Sequence, residues 1–400
     1  MTHTDNKKTA PGAALVLFIL VFAAVSAPLC LNKVSPIAPY LMDSFQLGAA
    51  KLGLLISVFS ITGIFLALPS GLLIQRFGPY LCILAALFAL LLGSLLGIFA
   101  PSFLWLLISR ILEGTGLALI AVAGPAIVNQ IAPNMKKGLF MGIFSSYVGI
   151  GQVLTYNLAP LIAKISGWKN VWWACIGYIL FVAVLWILLM TRMRTFHSVN
   201  PAVSKEKFMM KELLENVRSK SLWLLTASLF LYTITYAVIQ MFLPTYLNEI
   251  RGMELSSASS LVSICCLAGT VSSLLAGIIS DKLNSRRLFG GLALIVSAAL
   301  FYIITILPLG AYPVFIVILG MIPPILPVCA YAAYGEIIKN PSQSGTALGI
   351  LTTGQNLGFT LGPVLFGFVV QQFNYHAAFY YTMPLTVLGG ILLILNKKVK

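Results

Sequence analysis

Three ionisable residues could do chemistry in the depth of an apolar chain: Lys33, Arg110 and Glu113. Each is flanked on both sides by long hydrophobic sequence. A charge at the centre of a bilayer costs about 2.5–3.5 kcal/mol on insertion scales, so such residues face a wet cavity or a partner. Arg110 and Glu113 are three positions apart, which places them on one helix face. Arginine offers a planar fork that grips a carboxylate at two points, and lysine offers a point charge. Glu113 is the deep acid that could take up and release a proton. Two cations against one anion leave a surplus of one positive charge. That surplus suits a small monovalent anion such as a carboxylate and repels lipophilic cations. Two plainer readings stand beside this one. Arg110 and Glu113 could pair only to hold helices together, and Lys33 could reach along its own stem to the headgroups.

Neutral polar residues recur at helical spacing and extend the candidate site. Gln152 and Tyr156 are four apart; Tyr232, Tyr236 and Gln240 repeat at the same interval. Tyr331 and Tyr334 are three apart, and Gln355 has Asn356 beside it. Aromatic faces with polar tips fit a pocket for a small organic molecule. The same side chains also hydrogen-bond helices to one another in membranes.

The elements that must position these residues are membrane helices. Of 400 residues, 59% are hydrophobic and 9% charged, whereas a soluble domain carries about a quarter charged residues. Twelve apolar runs are expected, at about 13–41, 48–74, 79–100, 102–130, 138–164, 170–191, 222–247, 257–280, 287–308, 312–337, 345–371 and 377–396. A basic polar stretch at about 192–221, with the helix-like KEKFMMKELLENVRSK, divides the chain into a first half, 1–191, and a second, 222–400. The net charge of +15 does not indicate nucleic acid, because the basic residues lie in alternate loops without an aromatic-interleaved patch. Arg76, Lys136, Lys137, Arg192, Arg194, Lys282, Arg286 and Arg287 fall on one side, against Lys51, Lys164, Lys169 and Arg251 on the other. By the positive-inside rule both termini lie in the cytoplasm.

Histidines number three, all outside the spans, and no H-E-x-x-H pair or nucleotide-binding loop is present. No catalytic residue, metal or cofactor is expected. The six cysteines fall inside apolar runs without ligand spacing and read as small core residues.

The halves repeat. GQVLTYNLAPLIA at 151–163 aligns with GQNLGFTLGPVLF at 354–366, PYL at 39–41 with PTYL at 244–247, and GLLIQRFG at 71–78 with GIISDKLN at 277–284. Paired prolines and glycines at 133–138 and 341–345 follow the same offset of about half the chain. Such duplication gives two six-helix bundles about a pseudo-two-fold axis along the membrane normal.

The chain resembles the major facilitator superfamily. The loop Gly71-Leu-Leu-Ile-Gln75-Arg76-Phe77-Gly78 is similar to that family's G-x-x-x-D-[RK]-x-G element, with Gln75 in place of the acid. The second copy keeps Gly277, Asp281, Lys282, Arg286 and Arg287. Arg110 to Gly116 is similar to the R-x-x-x-G-x-G element of the fourth helix, and SGWKNVWW at 166–173 to the stretch opening the sixth. The tryptophans of that stretch are expected at the headgroup level. The drug-antiporter signature of the fifth helix is poorly matched by Ala159-Pro160-Leu-Ile-Ala163. The resemblance implies a monomeric secondary transporter working by alternating access in the cytoplasmic membrane. It implies a cytoplasmic gate of Gln75, Arg76, Asp281, Lys282, Arg286 and Arg287. The residues add a small anionic substrate held by Lys33 and Arg110, and Glu113 as the coupling acid. A drug-efflux antiporter, a uniporter or anion exchanger, and a non-transporting membrane sensor are the alternatives. Pro323, Pro324 and Pro327 are expected to kink the tenth span.

Overall fold

The computed structural model describes residues 12–132, 137–192, 216–283, 285–338 and 344–399. Most of the expected linker, including KEKFMMKELLE of KEKFMMKELLENVRSK, lies outside those residues. The described residues form helices and no strand. In the first half these are α1 (Ala13–Asn32), α2 (Ala38–Phe45), α3 (Ala49–Phe77), α4 (Pro79–Ile98), α5 (Phe103–Ile131), α6 (Lys137–Ser145), α7 (Tyr147–Ser166) and α8 (Lys169–Arg192). In the second they are α9 (Lys220–Glu249), α10 (Leu255–Leu283), α11 (Arg286–Ile306), α12 (Tyr312–Met321), α13 (Ile325–Ile337), α14 (Ser344–Gln372) and α15 (Tyr375–Ile394). Eleven stretches are long and apolar enough to cross a membrane, and α14 supplies the remaining crossing with 29 residues.

Three expected spans are each two helices. The first breaks at Lys33: α1 ends at Asn32, a 3-10 turn covers Ser35–Ile37, and α2 starts at Ala38. Pro36 and Pro39 have no N–H to give the carbonyls of Asn32 and Ser35, so one continuous helix is not available. The fifth breaks at Ser146, whose hydroxyl and N–H both turn back to the Ile143 carbonyl. The tenth breaks between Met321 and Ile325, at Pro323 and Pro324 as the sequence requires.

The duplication is visible in the packing. α1 packs on α7, α8 and α5, and α9 packs on α14, α15 and α13; α4 packs on α5 and α8, and α11 on α13 and α15. The two halves meet chiefly through α3 with α14 and α7 with α10, which are the same contact exchanged by the two-fold. Gly151 lies against Val25 and Pro28 of α1, and its repeat partner Gly354 lies against Thr226 of α9. Lipid gives apolar helices no hydrophobic reason to associate, so close approach at small residues does this work.

Counting α14 as a twelfth crossing puts the start of α1 and the end of α15 on one side, the terminal side; the other is the far side. Of three apolar cores, one is confined to the first half and one to the second. The third joins both halves, through Val34, Ile37, Leu41, Leu52 and Leu55 on one part and Phe242, Tyr246, Phe366 and Phe379 on the other. It closes the far side. Large exposed side chains such as Phe18, Phe88, Leu104, Phe181, Leu274 and Val314 form the outward surface expected of a lipid-facing bundle.

Candidate functional site

Lys33, Arg110 and Glu113 converge. Lys33 Nζ donates to Glu113 Oε1 at 2.5 Å, and Arg110 Nη1 donates to Glu113 Oε2 at 2.6 Å. The break after α1 frees backbone carbonyls there, and Arg110 takes two of them: Nη1 to Cys30 O at 2.6 Å and Nη2 to Leu31 O at 2.9 Å. Ser94 on α4 donates to Glu113 Oε1 at 2.6 Å and accepts from Lys33 at 3.1 Å. Lys33 Nζ lies 4.4 Å from the centre of the Trp172 ring, and the Arg110 guanidinium 4.6 Å from that of Phe59. A ring face attracts a cation, so both aromatics add to the compensation. All three charged side chains are fully buried. One guanidinium donor, Arg110 Nε, is buried without a partner, as is the Trp172 indole N–H.

This geometry decides against one of the plainer readings and corrects one expectation. Lys33 does not reach to the headgroups, because its ammonium is held inward by Glu113 and Ser94. Trp172 does not stand at the interface: it is fully buried over Lys33, while its neighbour Trp173 is exposed. The participants that sequence reasoning missed are Ser94, Trp172, Phe59 and the Cys30 and Leu31 carbonyls. No sequence signal marks Ser94; the structure shows that its neighbour Gly93 lets α4 lie close on α5, since a Cβ there would stand 2.6 Å from Glu113 Cγ.

A second cluster crosses the halves at Gln240. Gln152 Nε2 on α7 meets Gln240 Oε1 at 3.4 Å, and Gln240 Nε2 donates to Tyr236 Oη at 3.1 Å and to Cys266 Sγ at 3.5 Å. Tyr232 and Tyr236 stack, with ring centres 5.2 Å apart. Tyr156 is fully buried and donates to the Gln240 carbonyl at 2.6 Å. In the second half Tyr331 donates to Gln355 Oε1 at 2.5 Å, and Asn356 faces Gly63 of α3. Tyr334 is half-buried on α13, one turn from Tyr331. The expected polar residues therefore divide into a buried charged group inside the first half and a neutral group at the junction.

On the terminal side, Arg286 pairs with Glu336 of α13 within its own half, at 2.5 Å. Arg76 is exposed beside Phe77, Lys282 is exposed, and Arg287 is half-buried. The side chains of Gln75 and Asp281 lie outside the described residues. Polar contacts between the halves lie elsewhere, among them Ala50 N–H with Gln371, Asn157 with Ser260 and Ser263, and Lys164 with Glu254 at 2.7 Å. The Lys164 hydrogen bond, and then that of Ser256, hold the Glu254 carboxyl below its ordinary range.

Known proteins agree with this architecture. A bacterial homologue of the human lysosomal transporter Spinster, in an inward-facing and occupied conformation, superposes with a TM-score of 0.81 over 98% of both chains at 17% identity. A hexuronate transporter of Bacillus subtilis is 25% identical, over 89% of this chain and 88% of its own. A probable sulfoacetate transporter of Cupriavidus necator is 23% identical, over 90% and 86%. A multidrug resistance efflux pump of Streptococcus pneumoniae is 24% identical, over 88% of each. The family model of the Major Facilitator Superfamily matches residues 15–338 and 314–400. Two exchanged helix contacts about one axis, the repeat glycines against equivalent helices and this match lead to one conclusion: the chain belongs to the Major Facilitator Superfamily of transporters.

Proposed function

We propose that this transporter moves a small organic anion across the cytoplasmic membrane by alternating access, with Glu113 as the proton-coupling acid. The observation that supports it is the composition of the buried charged group. Two cations share one carboxylate, and Arg110 keeps one donor, Nε, without a partner. An incoming carboxylate would compete with Glu113 for the same donors. Protonating Glu113 removes that competitor, so proton and anion favour each other's binding. Such reciprocal coupling is what symport requires. In the present conformation the group is closed to solvent, and the exchange needs Lys33 or Arg110 to leave Glu113. Gln152, Tyr156, Tyr232, Tyr236, Gln240, Tyr331, Tyr334, Gln355 and Asn356 would contact the body of the substrate. The far side is then the outer face, with both termini in the cytoplasm. Gln75, Arg76, Asp281, Lys282, Arg286 and Arg287 would gate the inner side, and the halves 1–191 and 222–400 would rock about the linker as one monomer. The hexuronate and sulfoacetate transporters among the relatives are consistent with an anionic substrate.

Uptake into proteoliposomes tests this reading. Small carboxylates should accumulate when the outside is acidic, and Glu113→Gln should abolish that dependence on the pH gradient. Carboxylate uptake that ignores the gradient in the unaltered protein would overturn proton coupling. A second reading, efflux of hydrophobic compounds, is favoured by the stacked Tyr232–Tyr236 pair at the junction. It predicts transport of lipophilic cations that survives loss of Lys33.

A further inference from the structure

Pro244 lies inside α9, and it has no N–H to offer the carbonyl four residues back. That carbonyl belongs to Gln240. In a bilayer an unsatisfied backbone carbonyl costs several kcal/mol in principle, so a vacated one must find another donor. Here the donors come from the other half of the molecule. Tyr156 of α7 gives its hydroxyl to Gln240 O at 2.6 Å. Ser35, in the turn after α1, lies 3.3 Å from the same carbonyl and donates to Met241 O at 2.6 Å.

The position of this contact is set by the duplication. When PYL at 39–41 is laid on PTYL at 244–247, Pro39 falls on Pro244, and Ser35 falls on Gln240. A residue that touches its own repeat partner does so on the pseudo-two-fold axis. Ser35 and Gln240 therefore meet where the halves pivot. The residues around them, Val34, Ile37, Tyr156, Val238, Ile239 and Met241, belong to the apolar core that closes the far side. Ser35 is also two residues from Lys33, on the same short turn.

We propose that the Tyr156 and Ser35 hydroxyls, docked on the Gln240 carbonyl that Pro244 exposes in α9 and on the adjoining Met241 carbonyl, form an axial pin that holds the far side shut. Opening that side requires both hydroxyls to leave. Tyr156 then acts as a positioning residue of the gate in addition to any contact with substrate. The inference rests on the alternating-access reading, but its test needs no substrate. A failure to find a transported anion would count against the proposed function and leave the pin untouched.

The test measures the far-side distance between spin labels at Ser102→Cys and Leu309→Cys, in the full chain in lipid nanodiscs. Both positions are exposed, one in each half, and the native cysteines are buried. The parent should give mainly the short distance. Each lost hydroxyl, in Ser35→Ala or Tyr156→Phe, should raise the ratio of long to short distances about fivefold. Pro244→Ala separates a gate from mere packing. It restores the N–H that bonds Gln240 O within α9, so it should stabilise the helix to heat and still lengthen the distance. Unchanged distances in Pro244→Ala and in the Ser35→Ala, Tyr156→Phe double variant would overturn the proposal.

Discussion

A buried carboxylate between two cations makes stability and function compete at single residues. Glu113→Gln leaves Lys33 and Arg110 without a counter-charge, and breaking a buried pair in this way costs about 3–5 kcal/mol. Its melting temperature should therefore fall well below that of the parent. Lys33→Met added to Glu113→Gln should recover part of the loss, because one of the orphaned charges goes with it. A double variant no more stable than Glu113→Gln alone would show that the two groups are not coupled. Arg110→Lys should fail to restore transport, since an ammonium cannot reach Glu113 and the Cys30 and Leu31 carbonyls as the fork does. Lys33, Arg110 and Glu113 were legible in the sequence because charge is so scarce in it. Their partners were not. Ser94, Trp172 and Phe59 are ordinary residues in apolar runs, and only the packing of α3 and α4 against α5, and of α8 against α1 and α4, brings them to the charges.

At the scale of elements, the position of Arg110 and Glu113 depends on how closely α5 lies on α3. A Cβ on Gly114 would stand 2.2 Å from the Phe59 carbonyl and 2.2 Å from Thr62 Oγ1. Gly114→Ala must push the two helices apart, and overpacking of this kind costs about 1–3 kcal/mol. We expect lower thermal stability and lost anion uptake from a change that touches no charged group. Retained uptake in Gly114→Ala would mean that the charged group tolerates displacement. The twelve crossings and the repeat could be read directly, because hydropathy and the 203-residue offset between Gly151 and Gly354 are sequence properties. The breaks at Lys33 and Ser146 were harder. Pro36 and Pro39 announce the first, but a run that is apolar from end to end hides where the helix stops. Ser146 gives no warning at all, because a serine usually rests inside a membrane helix without breaking it.

For the whole molecule, the far side is closed by an apolar core with a polar pin, and only one exposed ion pair, Lys164 with Glu254, spans the halves among the described residues. The carboxyl of Glu254 is held below its ordinary range, so the pair is intact above that range and is lost as pH falls through the lowered value. Acidification to about pH 5, still above ordinary carboxylate values, should leave this contact in place. Far-side spin-label distances in Lys164→Ala should then show the same pH dependence as the parent over that interval. A pH response that disappears with Lys164 would assign the exposed pair a gating role. The proposed orientation and inner gate rest on basic residues in loops, and several of those loops lie outside the described residues.

The central claim is that the Lys33 and Arg110 group binds a small organic anion. The most direct measurement is thermal stability of the purified chain against a panel of mono- and dicarboxylates, inorganic anions and lipophilic cations, repeated in Lys33→Met and Arg110→Lys. A ligand at about 100 times its dissociation constant stabilises the state it binds by about 2.7 kcal/mol, enough to move a melting curve clearly. The account predicts a shift with at least one carboxylate that disappears in both variants. A shift with lipophilic cations alone, or a carboxylate shift that both variants retain, would contradict it.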